Sequence, residues 1–87
     1  MRHNLGAELH ILRSCIRAVE DFRAQRDAEH ARFGLYSALD AGDTEKARIW
    51  LTALDVALRV TPLDKVIRDA ADAAITRVSE YLETEED

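Results

Sequence analysis

Residues 41–64 read AGDTEKARIWLTALDVALRVTPLD, and both ends of this stretch are helix punctuation. At its start, Gly42 suits the left-handed position that closes one helix, and Asp43 or Thr44 can cap the next. A tight helical hairpin follows from that. At its end, Thr61 is a capping residue, Pro62 fits the first helical position, and Asp64 stands three residues after the cap, a pattern that opens a new helix. The same Ser/Thr-to-acid spacing recurs at Ser37/Asp40 and Thr52/Asp55, so Pro62 is what gives the Thr61–Asp64 instance its weight.

The segment between these signals, 44–60, is apolar around most of its circumference. Ala47, Leu51, Leu54 and Leu58 form one face, and Ile49, Ala53, Val56 and Val60 form a second, with Trp50 and Ala57 between them. Arg48, Thr52, Asp55 and Arg59 make a narrow polar stripe. A helix of this kind is central in its fold or sits in an interface.

Working outward, the N-terminal side opens with Leu5, Leu9, Leu12, Ile16 and Val19 at alternating spacings of four and three, which places them on one helical face. Beyond Phe22 the phase is lost. Ala24, Ala28, Ala31, Leu35 and Ala38 begin a stripe about 100° around, and Arg23, Arg26 and His30 fall where the seam would have continued. A bend, a break near Gly34 or a change of packing partner would each account for the shift; because every residue from Arg23 to Arg32 is an acceptable helix former, the favoured expectation is one long helix over 4–41 with a polar middle. On the C-terminal side, Leu63, Ile67, Ala70, Ala74, Val78 and Tyr81 predict a third helix over 62–83, followed by an acidic tail over 84–87. The run Tyr36-x2-Leu39-x2-Gly42-Asp43-x-Glu45-x-Ala47-x3-Leu51-x2-Leu54 resembles the turn of many helical hairpins, tetratricopeptide-like ones included. It implies a hairpin and no particular family.

Composition agrees with an all-α chain. The 87 residues include three glycines and one proline, too few for the turns of a sandwich or barrel, and fourteen alanines, ten arginines and eight glutamates favour helix. Hydrophobic residues at 47% are enough for a folded core. The lone Cys15 excludes an internal disulfide framework, and no apolar run approaches the length of a membrane span, so a reducing cytoplasm is the expected setting. Net charge is −5, split as +1 over 1–34 and −6 over 35–87. An acidic balance is the reverse of a nucleic-acid footprint.

Lengths suggest an arrangement. The first helix would run about 55 Å and the next two end to end about 60 Å. Almost no loop separates Val60 from Leu63. The expectation is therefore an elongated helical hairpin with its second arm kinked at Pro62. Such a hairpin cannot cover both apolar faces of 44–60, so it would dimerise into a four-helix-bundle-like assembly. A compact three-helix monomer is the alternative.

Catalytic patterns are missing. The glycines are isolated, His10 is badly spaced from Cys15 for a helix-borne pair, and no nucleophile elbow, zinc or phosphate-loop motif occurs. Asp27/His30 has the i,i+3 spacing used in metal-binding bundles, but it stands alone. These absences predict a protein that is not an enzyme, without cofactor or metal. Binding is the better expectation: a belt of Arg23, Arg26, His30 and Arg32 for an acidic partner, Trp50 as an anchor, and Ile49, Val56 and Val60 as an apolar contact face. The chain then reads as a small helical protein–protein interaction module, an adaptor, regulator or inhibitor acting as a homodimer. A second reading is an accessory factor or inhibitor of a nucleic-acid-handling machine, acting by acidic mimicry from Asp64, Asp69, Asp72, Glu80 and Glu83 or, less favoured, by direct contact through the arginine belt. A third is a metal-binding bundle.

Overall fold

The computed structural model describes residues 4–85, so Met1–His3 and the end of the acidic tail, Glu86-Asp87, lie outside it. Four helices follow one another: α1 (Gly6–Arg17), α2 (Phe22–Ala41), α3 (Thr44–Arg59) and α4 (Lys65–Glu85). No strand occurs among the described residues. Each helix packs against its sequence neighbours, and α1 packs against α4 to close the ring. Glu8 pairs with Arg77 while Cys15 reaches Ile67, and Arg48 reaches Leu82 while Arg68 reaches Leu58. Consecutive helices therefore run antiparallel, as an up-and-down bundle measuring 37 × 22 × 18 Å.

The single long helix expected over 4–41 is corrected to two. The break falls at 18–21, where nothing in the composition forbids helix, and its causes are local hydrogen bonds. The Asp21 carboxylate accepts from the Ala24 amide at 2.9 Å, capping α2. The Gln25 side-chain amide then shares its two hydrogens among the carbonyls of Ile16, Arg17 and Val19 at 3.3, 3.3 and 3.2 Å, supplementing the backbone bonds that close α1, such as the Val19 amide to the Ile16 carbonyl. The phase change in the apolar stripe thus marks a corner. Leu5, Leu9, Leu12, Cys15, Ile16 and Val19 are buried before it, and Ala28, Ala31, Leu35, Ala38 and Leu39 after it.

The α2–α3 turn follows the sequence expectation. Gly42 has φ 75°, its amide donates to Leu39 and the Asp43 amide donates to Ala38, a left-handed cap that satisfies the last carbonyls of α2. Asp43 then caps α3 by accepting from the Lys46 amide at 3.1 Å.

The Pro62 expectation is corrected. Thr61 does not cap α4, whose first residue is Lys65; its hydroxyl donates back to the Ala57 carbonyl at 2.9 Å. Val60–Asp64 is a connection of five residues, within the roughly 2–8 that reverse a helix pair, so the chain turns back where a bend was expected.

Inside, Ala47, Leu51, Leu54 and Leu58 of α3 meet Leu12, Leu35, Ala71, Ala74, Val78 and Leu82 in one core. In α4 the seam centres on Ala71, Ala74, Val78 and Leu82, while Leu63, Ile67, Ala70 and Tyr81 pack at its margin. The four-helix core expected from two copies is thus assembled by one chain. The thin, elongated arms that motivated dimerisation are replaced by a compact body.

Candidate binding surfaces

Two surfaces hold most of the residues singled out by sequence. The first is the outer side of α3. Its inner face fills the core, and the second apolar face read from the sequence points outward: Ile49 is 63% exposed, Val56 54% and Val60 76%, with Ala53 exposed between them. These four fall at i, i+4, i+7 and i+11, a stripe about 16 Å long. Asp55 and Arg59 pair at 3.1 Å on the same helix.

The second surface is a groove of about 920 Å³ between α1 and α2. Arg13 and Arg17 line it from α1, and Phe22, Arg26, His30 and Phe33 line it from α2. Of the predicted belt, only Arg26 and His30 reach this groove. Arg23 turns to the far side of α2, where it borders a smaller hollow with Asp21, Asp27 and Val60. Arg32 is engaged inside the chain: its guanidinium forks onto the Glu29 carboxylate, Nε to Oε1 at 3.0 Å and Nη2 to Oε2 at 2.7 Å. That hydrogen bond, then the charges of Arg32 and Arg13, hold the Glu29 carboxyl below the usual range, against the opposing effect of partial burial.

Trp50 sits between the two surfaces. Its ring meets His30 edge to face at 5.3 Å and 81°, and it packs against the backbone of Gly34 one turn further along α2. It is half-buried and joins α3 to α2.

Sequence reasoning missed Arg13, Arg17, Phe22 and Phe33. Their signal was present, since Arg13/Arg17 stand at i,i+4 and Phe22, Arg26, His30 and Phe33 at successive spacings of four, four and three. Two such stripes face each other only once the chain folds back at 18–21.

Reactive chemistry is not assembled among the described residues. Cys15 is buried, its Sγ lies 3.6 Å from the Ile67 carbonyl oxygen, and burial pushes the thiol pKa up, away from the reactive thiolate. No three His, Cys, Asp or Glu side chains among the described residues are grouped as metal ligands. No helix among them is long and apolar enough to cross a membrane.

The arrangement defines a single-chain, up-and-down four-helix bundle carrying an outward apolar stripe and a separate cationic, aromatic groove. Comparison with protein-family models, with curated proteins and with solved structures finds no match.

Proposed function

We propose that this chain is a non-enzymatic helical interaction module, an adaptor, regulator or inhibitor that docks onto protein through the outer face of α3. The observation that carries this reading is the division of α3 into two apolar faces, one sealed in a core complete within the chain and the other exposed along Ile49, Ala53, Val56 and Val60. Stability does not call for the second face, whereas an interface core flanked by polar groups does. A second copy is the first partner to consider. Two stripes laid antiparallel match Ile49 against Val60 and Ala53 against Val56, the self-complementary geometry of a two-fold dimer.

Light scattering over a concentration series, together with co-purification from the native host, tests the reading on wild type and Val56→Glu. Val56 is exposed, so circular dichroism should show the same helix content in both. The expected result is that the variant loses self-association, a specific co-purifying protein, or both. A wild type that is monomeric throughout, with a co-purification profile that Val56→Glu leaves unchanged, would overturn it.

The reading as an accessory factor of a nucleic-acid-handling machine has one supporting observation. Asp64, Asp69, Asp72, Glu80 and Glu83 are all exposed along α4 and its approach, as mimicry requires. Salt-sensitive binding to a basic, nucleic-acid-binding protein, lost on Asp72→Lys with Glu80→Lys, would favour it over docking through α3.

A further inference from the structure

We infer that the α1–α2 groove receives an acidic amphipathic helix from a partner protein. This rests on the reading of the chain as an interaction module but concerns a face separate from the α3 stripe.

The groove is cationic on an acidic chain. The chain carries −5 overall, yet the ionisable groups lining the groove are Arg13, Arg17, Arg26 and His30 against Glu29 alone. Glu29 is already paired with Arg32 in a two-pronged contact, so most of its charge is offset before it meets the groove cations. Among the described residues, Arg17 and Arg26 make no side-chain hydrogen bond or ion pair, and Arg13 acts on Glu29 only through its charge. On the opposite side of the bundle the pattern differs: Arg48, Arg59, Arg68 and Arg77 all contact a carbonyl or carboxylate. These four are engaged, whereas the arginines of the groove remain available.

Two aromatics also line the groove. Phe22 is 74% exposed and Phe33 61%, although the core is closed without them. Eleven residues apart on α2, they stand about 16 Å from one another, three helical turns. Exposed aromatics beside arginines are the composition of interface anchors.

A trough between two antiparallel helices is the seat a further helix takes at about 8–10 Å from each. A helix with apolar side chains three turns apart would meet Phe22 and Phe33, and carboxylates on the intervening turns would meet Arg13, Arg17 and Arg26. A nucleic-acid strand fits less well. It would bring a charge at every nucleotide toward a chain of net negative charge, whereas a short acidic helix brings only a few carboxylates and adds aliphatic side chains for the phenylalanines.

The experiment uses the full chain and three fluorescent probes: a helical peptide of about sixteen residues whose one face carries leucines three turns apart with glutamates on the turns between them, its lysine counterpart, and a single-stranded oligonucleotide of similar length. Anisotropy is expected to show saturable binding of the glutamate peptide, weakened about tenfold or more by Arg13→Glu with Arg17→Glu, by Arg26→Glu, and by raising salt to about 0.5 M. Phe22→Ala with Phe33→Ala should weaken it comparably, and all of these positions are exposed, so the fold is kept. Absence of saturable binding, equal binding of the lysine peptide, tighter binding of the oligonucleotide, or indifference to the groove substitutions would each overturn the inference. Val56→Glu is expected to bind the glutamate peptide as wild type does. Loss of peptide binding in that variant would move the acidic-helix site to α3 and overturn the groove assignment. Failure of the α3 test with peptide binding intact would instead remove only the reading of that outer stripe.

Discussion

The indole of Trp50 on α3 packs directly against the backbone of Gly34 on α2, so that a Cβ at position 34 would fall inside the ring's van der Waals surface. This contact sits near the middle of α2, where glycine has no conformational role. Replacing a helix-interior glycine by alanine ordinarily gains about 1 kcal/mol, but forcing a methyl group into a packed contact costs about 1–3 kcal/mol. Collision should win here, because the crowded atoms belong to the body of the indole and the ring is held by His30 on its other contact. Gly34→Ala is therefore expected to destabilise wild type by about 1 kcal/mol and to stabilise Trp50→Ala by about 0.5–1 kcal/mol. A urea-denaturation cycle over the four proteins reads that change of sign, and an unchanged sign would refute the close-contact account.

Gln25 determines where the first helix stops. Its side-chain nitrogen donates to three carbonyls at the α1 corner, and the loss of those bonds in Gln25→Ala should cost about 1–2 kcal/mol. Gln25→Glu should cost more at neutral pH, because a carboxylate only accepts and would face carbonyl oxygens. Acidification should recover part of that loss, since the protonated acid donates again. Amide hydrogen exchange would place the weakened protection in the last turn of α1; uniform loss over the bundle would contradict the local role.

This corner also shows how far the sequence could be read. The α2–α3 hairpin was legible because Gly42 and Asp43 each have one job with a local cause, a left-handed cap and an N-cap. The two faces of α3 were legible because a period of 3.6 separates them. The break at 18–21 was not, since Ala18 to Asp21 contains neither glycine nor proline. The signal was the shift of the apolar stripe beyond Val19, and its cause is Gln25 reaching back six to nine residues, which no helical periodicity encodes. Missing that corner stretched the apparent molecule to about 55–60 Å against the observed 37 Å, and hid the groove, whose walls were read as one continuous helix. Pro62 misled in the opposite direction. Thr61 donates back to the Ala57 carbonyl of α3, and α4 begins only at Lys65, too far on for Thr61 to cap it and leaving room for a full reversal.

That reversal depends on Arg68. Its guanidinium donates to the Leu58 carbonyl at 2.7 Å and to the Thr61 carbonyl at 2.6 Å, joining the first turn of α4 to the end of α3. The planar fork matches two carbonyls at once, which an ammonium does less well. Arg68→Lys is expected to lose about 1–2 kcal/mol and Arg68→Ala about 2–4 kcal/mol in chemical denaturation. Equal losses would mean that charge, and no two-pronged geometry, holds the turn.

The two ends of the pH–stability profile should belong to different residues. Glu29 has its folded-state carboxyl lowered, first by the hydrogen bond from Arg32, so its contribution is present above the ordinary carboxylate range and is lost as pH falls through the lowered value. Glu29→Gln should therefore flatten part of the acid limb and leave the alkaline limb as it is. Cys15 has the reverse behaviour. Burial raises its thiol pKa, so in alkaline solution the unfolded chain releases that proton first and stability falls as pH climbs from the ordinary thiol value toward the raised one. Cys15→Ala removes this loss while keeping a small apolar residue at the site. Urea midpoints measured between about pH 3 and 10 would check both assignments, and an alkaline limb of unchanged slope in Cys15→Ala would show that the thiol does not titrate with unfolding.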